Sequence, residues 1–185
     1  MSKHENISMS VIRRLPRYYR FLSDFIDKNI TKISSKELAE RMGLTASQIR
    51  QDLNCFGGFG QQGYGYSVEY LKNEIGSILG LQNNFKAILI GAGNLGNAVA
   101  SQLSFNKLGF DLIGIFDSSE QLIGKKINNI DIFHIDSLEL FCKTNKPVMA
   151  ILCVPKSSAK SITDKLYSIG IRSFWNFSHY DINLN

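Results

Sequence analysis

Two segments of this 185-residue chain contain side chains whose types and spacing suit ligand recognition. The first, SSKELAERMGLTASQIRQDLN, begins at Ser34 and contains two short helical patterns. Each pattern opens with a hydroxyl residue three positions before Glu or Gln, so two capping boxes are predicted, Ser34 with Glu37 and Thr45 with Gln48. Gly43 between the patterns predicts a tight turn, which makes the segment typical of a helix-turn-helix. The second helix of such a motif reads base edges in the major groove of DNA.

Polar side chains in and around this motif are expected to contact DNA. The amide and guanidinium groups of the second helix suit base edges, and the glycines and aromatics of Phe56–Tyr66 predict a hairpin, or wing, after it. Upstream, the arginines between Arg13 and Arg20 predict a phosphate-gripping face. The alternatives are a glycine-rich linker for Phe56–Tyr66 and a solvated helix start for the upstream arginines. The residues predicted to contact DNA are Arg14, Arg17, Tyr18, Tyr19, Gln48, Arg50, Gln51, Asn54, Phe59, Gln61, Gln62 and Tyr64.

The second segment predicts a dinucleotide site. An apolar strand at 86–90 leads into the sequence GAGNLG at 91–96, and a helical pattern follows. In a GxGxxG turn the first glycine allows the tight turn, the second lets the backbone approach a pyrophosphate, and the third packs the helix onto the strand. The phosphates then lie at the helix N-terminus. Asp117 ends the next apolar strand 21 residues after Gly96, where such folds place the acid that holds the adenosine ribose. A glycine-rich turn that serves another ligand is the alternative.

Beyond this turn, strands alternate with helices. We predict strands at 130–133, 148–154 and 171–175, and helices from 136 and over 157–169, which together indicate a parallel sheet with helices on both faces. Ligands bind at the carboxyl ends of such strands, so residues there are expected to line the nicotinamide side of the pocket. The alternatives to a pocket role are that Pro155 only terminates its strand and that the Phe177 ring only fills the core. The residues predicted to bind the dinucleotide are Gly91, Ala92, Gly93, Asn94, Leu95, Gly96, Asp117, Val154, Pro155 and Phe177.

The chain is therefore predicted to be an α/β protein with two domains. A winged helix-turn-helix domain at 1–83, with helices over 18–27 and 68–79 and Pro16 in a first helical turn, precedes a Rossmann-like, parallel-sheet dinucleotide-binding domain at 84–185. A hydrophobic content of 44% and a charged content of 20% are typical of a soluble protein. The lack of an 18-residue apolar run or a signal-peptide core predicts a cytoplasmic location and no membrane partner. Three widely spaced cysteines without a CxxC pair favour no metal site.

Together these motifs resemble the Rex family of redox-sensing transcriptional repressors. The resemblance rests on RLPRYYR at 14–20, QIRQDL at 48–53, FGGFG at 56–60, GYGY at 63–66, GAGNLG at 91–96, Val154-Pro155 with Ala159, and NFS at 176–178. It implies a homodimer that binds a palindromic operator in the NAD⁺ or apo state, represses genes of fermentative or anaerobic metabolism, and releases DNA when NADH binds. NAD(H) is then a sensed ligand that is not turned over.

Two features depart from the family pattern. Many relatives have basic residues where this chain has Gln51 and Gln61-Gln62, which implies a weaker phosphate grip or an altered half-site. Relatives also continue into a long C-terminal helix that swaps between subunits, whereas this sequence stops at Asn185. From the resemblance we therefore expect a weaker dimer and only partial release of DNA by NADH.

Two other functions remain open from the residues. A small nicotinamide-dependent dehydrogenase needs a proton donor beside the nicotinamide, but His134 and His179 are isolated and no tyrosine-lysine pair has a useful spacing. We therefore expect no enzymatic activity. A winged-helix regulator of another nucleotide-like ligand, such as a coenzyme A derivative, is the second alternative. The operator sequence, the regulated genes and the ratio of NADH to NAD⁺ affinity do not follow from the sequence.

Overall fold

The structure, a computed structural model, describes residues 7–56 and 65–183, together with the backbone at 60–61. The chain divides into two compact units, Met1–Gln82 and Asn83–Asn185. In the first unit the helices are α1 (Met9–Asp27), α2 (Ser35–Met42), α3 (Ala46–Asn54) and α4 (Val68–Ile78), and the strands are β1 (Lys32–Ile33), β2 (Gly60–Gln61) and β3 (Gly65–Ser67). The strands form an antiparallel sheet in the order β1-β3-β2. The pairing of β2 with β3 corresponds to the predicted wing. Together with α2 and α3, this pairing confirms the winged helix-turn-helix class.

Helix α1 begins nine residues before the predicted start at 18, and Pro16 lies in its interior rather than in its first turn. The extension follows from apolar residues at alternating spacings of three and four, all of them buried: Val11, Leu15, Tyr18, Leu22 and Phe25. That stripe packs against the rest of the first core, so tertiary burial outweighs the hydrogen bond that proline cannot donate.

The turn between α2 and α3 forms largely as the sequence predicts. Ser34 and Glu37 form a complete capping box, and Gly43 ends α2 in the left-handed conformation at φ 62°. Thr45 accepts from the Gln48 amide N–H, but the second capping box is only half formed because the Gln48 side chain bonds elsewhere.

The second unit contains helices on both faces of a six-stranded sheet. Its strands are β4 (Phe85–Ile90), β5 (Phe110–Asp117), β6 (Lys126–Ile127), β7 (Ile130–His134), β8 (Met149–Leu152) and β9 (Ser173–Asn176), and its helices are α5 (Asn94–Gln102), α6 (Leu138–Asn145) and α7 (Lys156–Ser168). The order β6-β7-β5-β4-β8-β9 is parallel apart from β6. From β7 to β9 this is the doubly wound arrangement, in which the chain reverses direction across the sheet between β4 and β8.

Alternate residues of β4 bury into separate cores on the two faces. Leu89 belongs to the core that contains Val99 of α5, whereas Ile88 belongs to the core that contains Leu138 of α6 and Leu166 of α7. The predicted sheet with helices on both faces is confirmed. The predicted helix from 136 begins with a 3₁₀ turn at Ile135–Ser137.

The edge strand β6 was not predicted, because two residues are too short to give a periodic pattern. It pairs antiparallel with β7 through a turn at Asn128 and Asn129, whose φ angles of 48° and 65° suit a tight hairpin. The Asn128 side-chain amide donates to the carbonyls of Ala100 and Ser101 at 3.1 and 2.9 Å. These bonds satisfy carbonyl groups at the C-terminal end of α5.

Candidate DNA interface and dinucleotide site

The outward face of α3 forms a shallow concave surface of about 470 Å³, lined by Ser47, Arg50, Gln51, Asn54 and Cys55. Three of these residues were predicted to contact DNA. Ser47 and Cys55 were missed, although their spacing from Gln51, four residues on each side, is the helical period that marks one face. The Arg50 guanidinium donates to Ser35 Oγ of α2 at 3.0 Å, so its resting position is at the edge of this face.

Gln48 points away from that surface. Its Nε2 donates to Asp52 Oδ1 at 2.8 Å, one turn along α3 on the flank that faces α1. The prediction that Gln48 reads a base is therefore not supported by the position of its side chain, because the amide is engaged within the protein.

Two of the α1 residues predicted to grip phosphate form hydrogen bonds with Asp52 of α3. Tyr18 is wholly buried, and its hydroxyl donates to Asp52 Oδ2 at 2.9 Å, so its assignment as a DNA contact is wrong. Burial, reinforced by the Asp52 carboxylate, raises the pKa of Tyr18 and keeps its hydroxyl protonated. Arg14 donates through Nε to Asp52 Oδ2 at 2.7 Å and through Nη2 to Oδ1 at 2.8 Å. This bidentate pairing engages Arg14 within the protein while 26% of its side chain stays exposed, so its phosphate contact stays a prediction.

The other two predicted α1 residues also have internal partners. Arg17 donates to the Met42 carbonyl at the end of α2 and stacks over the Phe21 ring at 5.8 Å. Tyr19 is half-buried, with the Lys72 ammonium of α4 5.4 Å from its ring centroid. Arg17 is exposed, and its contact with a phosphate stays a prediction, whereas the half-buried Tyr19 packs against α4.

The side chains of the predicted wing residues cannot be placed in the same way. Phe59, Gln62 and Tyr64 lie outside the described residues, and only the backbone of Gln61 is described. Their predicted contacts with DNA stay predictions.

The glycine-rich turn after β4 is shaped by two close backbone approaches. Gly91 adopts φ 98°, and a Cβ there would lie 2.5 Å from the Cys153 carbonyl oxygen beyond the neighbouring strand β8. A Cβ on Gly96 would lie 1.7 Å from the Gly91 carbonyl oxygen and 3.2 Å from the Leu89 side chain. These contacts match the turn-forming and helix-packing roles predicted for the first and third glycines.

The middle of the turn is open towards solvent. A Cβ on Gly93 would meet no described protein atom within 4 Å, and Gly93, Asn94 and Leu95 are all exposed. Gly93 is also the N-cap of α5, and no N-cap side chain bonds to the first N–H groups of this helix. This arrangement suits an anion such as a pyrophosphate.

Residues from three neighbouring strands meet at this edge of the sheet. The Cys153 N–H donates to the Ile90 carbonyl at 2.8 Å and the Phe177 N–H to the Leu152 carbonyl at 2.9 Å, which extends the sheet just beyond the strands. Val154 and Pro155 then lead into α7, and the Phe177 ring lies 5.4 Å from the Trp175 ring. Gly91, Val154 and Phe177 thus follow the carboxyl ends of three adjacent strands, β4, β8 and β9, beside the point where the strand order reverses.

Asp117 occupies the predicted place but already has backbone partners. Its Oδ2 accepts from the Ala92 N–H at 2.6 Å and its Oδ1 from the Ser119 N–H at 2.8 Å. A carboxylate has about four acceptor positions, so these bonds fasten the glycine-rich turn and leave capacity for a hydroxyl donor. The structure therefore adds a turn-fixing role to the predicted ribose contact.

Within the described residues, no group of three or more His, Cys, Asp or Glu side chains is arranged to hold a metal ion. The same part of the chain contains no helix with the length and apolar character needed to cross a membrane.

Comparisons with known proteins match both units. A family described as "Putative DNA-binding protein N-terminus" matches residues 6–54, and one described as "CoA binding domain" matches residues 82–180. The "Redox-sensing transcriptional repressor Rex" of Clostridium novyi (strain NT) is 52% identical over 99% of this chain and 87% of the relative. The protein of the same name from Thermoanaerobacter pseudethanolicus (strain ATCC 33223 / 39E) is 52% identical over 100% of this chain and 82% of the relative.

Solved structures show the same similarity. The crystal structure of RSP in complex with beta-NAD⁺ and operator DNA has a TM-score of 0.91 at 50% identity and covers 97% of this chain and 83% of that chain. RSP in complex with beta-NADH has a TM-score of 0.89 at 47% identity, covering 97% and 84%. RSP is described as a Rex-family repressor. The matched relatives carry the name of a repressor rather than of an enzyme. This chain belongs to the Rex family of redox-sensing transcriptional repressors.

Proposed function

We propose that this chain is a DNA-binding transcriptional repressor that senses the NADH/NAD⁺ ratio, binding operator DNA in the NAD⁺ or apo state and releasing it when NADH binds. The observation that carries the proposal is the combination, in one chain, of an exposed α3 face with a glycine-rich turn at the reversal point of a doubly wound sheet. The first suits a major groove and the second a dinucleotide. The protein acts in the cytoplasm, where such a regulator meets both ligands.

Recognition of DNA is assigned to α3 and its flanks. Arg50, Gln51 and Asn54 present guanidinium and amide groups on the concave face, and such groups read guanine and adenine edges. Arg17 and the wing residues Phe59, Gln61, Gln62 and Tyr64 reach the phosphates or the minor groove. The active species is a homodimer on a palindromic operator, because two copies of α3 then read half-sites about one DNA turn, ~34–36 Å, apart.

Binding of NAD(H) is assigned to the edge of the second unit. The pyrophosphate lies on the open N-terminus of α5 over Gly93, and Asp117 accepts from the adenosine ribose. The residues proposed to complete the site are Gly91, Ala92, Asn94, Leu95, Gly96, Val154, Pro155 and Phe177. NAD(H) is held as a sensed ligand, and it releases DNA only as far as it binds the DNA-competent and DNA-free states with different affinity.

A second candidate ligand follows from one observation. The family that matches residues 82–180 is described as a coenzyme A binding domain, and a coenzyme A thioester also presents an adenosine and a pyrophosphate to a glycine-rich turn. Binding of such a compound in place of NADH would identify a regulator of acyl metabolism.

The test uses a fluorescent operator duplex selected by the protein from a random pool. Anisotropy is followed during titration with NADH, NAD⁺, NADPH and acetyl coenzyme A, and energy transfer from the single tryptophan, Trp175, reports NADH binding independently. Release of DNA by NADH at concentrations where NAD⁺ and acetyl coenzyme A have no effect is the expected result. If acetyl coenzyme A alone releases DNA, the sensed ligand is a coenzyme A derivative and not NADH. A failure to enrich any duplex would refute the DNA-binding assignment.

A further inference from the structure

A buried carboxylate connects α3 to α1. The Asp52 side chain is wholly buried, and it accepts four hydrogen bonds: two from Arg14, one from the Tyr18 hydroxyl and one from Gln48 Nε2. Burial by itself raises the pKa of Asp52, but the bonds from Arg14, Gln48 and Tyr18 outweigh it and hold that pKa below the ordinary value. At neutral pH the group is a carboxylate that can only accept, so each neighbour must present a donor to it.

This network gives direction to the buried side of α3, whose other buried contacts are apolar. Ile49 and Leu53 bury the apolar side of α3, and apolar burial sets how deeply a helix packs more strictly than how it is rotated about its axis. A bidentate arginine-carboxylate pair has a fixed planar geometry. Because removing the Asp52 charge from water is costly, its pair with the partly exposed Arg14 is weak evidence for stability, and we take its role to be the arrangement that it specifies.

The rotation of α3 decides where its polar face points. Asp52 immediately follows Gln51, and successive helical residues are about 100° apart, so fixing Asp52 inward directs Gln51 towards the concave surface. Arg50 and Asn54, two residues before and after, are constrained in the same way. A rotation of 20° would displace a side-chain end by more than 1 Å, which exceeds what a base contact tolerates by the standard of about 0.5 Å and 10–20° for functional groups.

We infer that Asp52 is a positioning residue for operator recognition, and that Arg14 and Gln48 hold it in place rather than contacting DNA. This inference rests on the proposed function, since it concerns the same α3 face. In this inference Asp52 contributes to sequence recognition without touching a base. Arg14 supports Asp52 from within the protein and does not contact a phosphate.

The two roles of Arg14 predict different salt dependences. A phosphate contact contributes about 0.9 to the slope of log affinity against log salt concentration, so its loss lowers that slope. A positioning residue leaves the slope unchanged and lowers the ratio of operator to non-operator affinity. Lysine separates the two roles directly, because it keeps the charge for a phosphate but cannot reproduce the bidentate fork on Asp52.

A substitution of Asp52 itself gives a test in which electrostatics alone and positioning predict opposite changes in operator affinity. Removing a negative charge from a DNA-binding helix tightens binding if only electrostatics matters. If Asp52 positions α3, the isosteric change Asp52→Asn weakens operator binding, because asparagine must turn an amide donor towards a neighbour that also donates.

The experiment measures operator and non-operator affinities of full-length wild type, Asp52→Asn, Arg14→Lys, Arg14→Met and the control Arg13→Lys at several salt concentrations. Arg13 is exposed and adjacent on α1, and lysine keeps its charge for any phosphate, so the control makes the same change outside the Asp52 network. We expect Asp52→Asn and Arg14→Lys to lose about tenfold or more in the affinity ratio, the order of one mismatched base pair, with unchanged salt slopes. The control should keep the wild-type ratio.

Several results would overturn the inference. A wild-type ratio in Arg14→Lys, together with a lower salt slope in Arg14→Met, would make Arg14 a phosphate contact. Operator binding by folded Asp52→Asn at wild-type strength or tighter would refute the positioning role. Unchanged non-operator affinity and a cooperative thermal transition establish that a variant is folded, and Arg14→Lys decides the question if Asp52→Asn does not fold. A wild type without operator preference would instead refute the proposed function.

Discussion

Gly93 and Gly96 lie three residues apart in one turn, yet alanine at Gly96 should mainly lower the stability of the fold and alanine at Gly93 should mainly weaken NADH binding. At Gly96 an added Cβ would be 1.7 Å from the Gly91 carbonyl oxygen and 2.9 Å from its carbon, both of them backbone atoms. Ordinary contact needs at least 3.4 Å, so α5 would have to move from β4 by more than 1 Å, and neither partner is a side chain that can rotate away. We expect Gly96→Ala to cost more than the ~1–3 kcal/mol that is typical of overpacking in a core.

Gly93→Ala should leave the fold nearly unchanged. The methyl group meets no described protein atom within 4 Å, and the Gly93 angles of φ −64° and ψ −168° are extended and open to any residue. Alanine is a poorer N-cap than glycine, so a loss of about 0.5 kcal/mol is reasonable. The methyl does occupy the path by which a pyrophosphate approaches the turn. We therefore expect NADH to bind at least tenfold more weakly, an effect of about 1.4 kcal/mol, while operator binding persists.

Thermal unfolding and NADH titration on the two variants separate these effects. Gly93→Ala should unfold within a few degrees of wild type and remain on operator DNA at NADH concentrations that release wild type. Gly96→Ala should unfold at a clearly lower temperature. If NADH releases Gly93→Ala as readily as wild type, the pyrophosphate does not lie on this turn. If Gly96→Ala is as stable as wild type, the close packing of α5 on Gly91 is wrong.

Three further predictions concern other side chains. Arg50→Ala should lose specific operator binding by about 1–3 kcal/mol per half-site, because a bidentate arginine-base contact is removed; NADH binding should be unchanged, and equal operator affinity in an anisotropy titration would contradict the assignment. Asp117 should make the protein prefer NADH to NADPH, since its carboxylate repels a 2′-phosphate; equal affinities by tryptophan energy transfer would count against it. Burial raises the pKa of Cys142 and of Cys153 to about 11, so at pH 8 both remain protonated thiols and the exposed Cys55 should be the first to react with iodoacetamide; peptide mass spectrometry that finds Cys142 or Cys153 labelled first would refute this.

The glycine-rich turn could be predicted from sequence because its chemistry is local. Strand, turn, helix and acid lie within 32 residues, and the steric demand on Gly96 comes from Gly91 and Leu89 close by in the chain. The demand on Gly91 comes from Cys153 just beyond β8, and only the fold shows it. The edge strand β6 could not be predicted in the same way, because two residues carry no periodic pattern and pair only when β7 is present.

The partners of the α1 side chains could not be predicted for a different reason. Tyr18 and Arg14 have both apolar and polar parts, and their polar groups were assigned to DNA because Asp52, 34 and 38 residues away, was not recognised as their partner. The burial of Tyr18 was nevertheless readable from its place in the stripe of Val11, Leu15 and Leu22. Periodicity shows that a residue faces inward, whereas the identity of a distant polar partner requires the fold.

Helix α5 is fixed at both ends, by the packing of Gly96 on Gly91 and by the bonds from Asn128 to the carbonyls of Ala100 and Ser101. A helix that cannot slide along its axis holds the phosphates at one position, whichever redox form is bound. NAD⁺ and NADH share their pyrophosphate and adenosine, so in the proposed function this part of the site contributes equally to the affinity for both. The two forms then compete for one site, and occupancy by NADH follows the ratio of their concentrations rather than the amount of NADH alone.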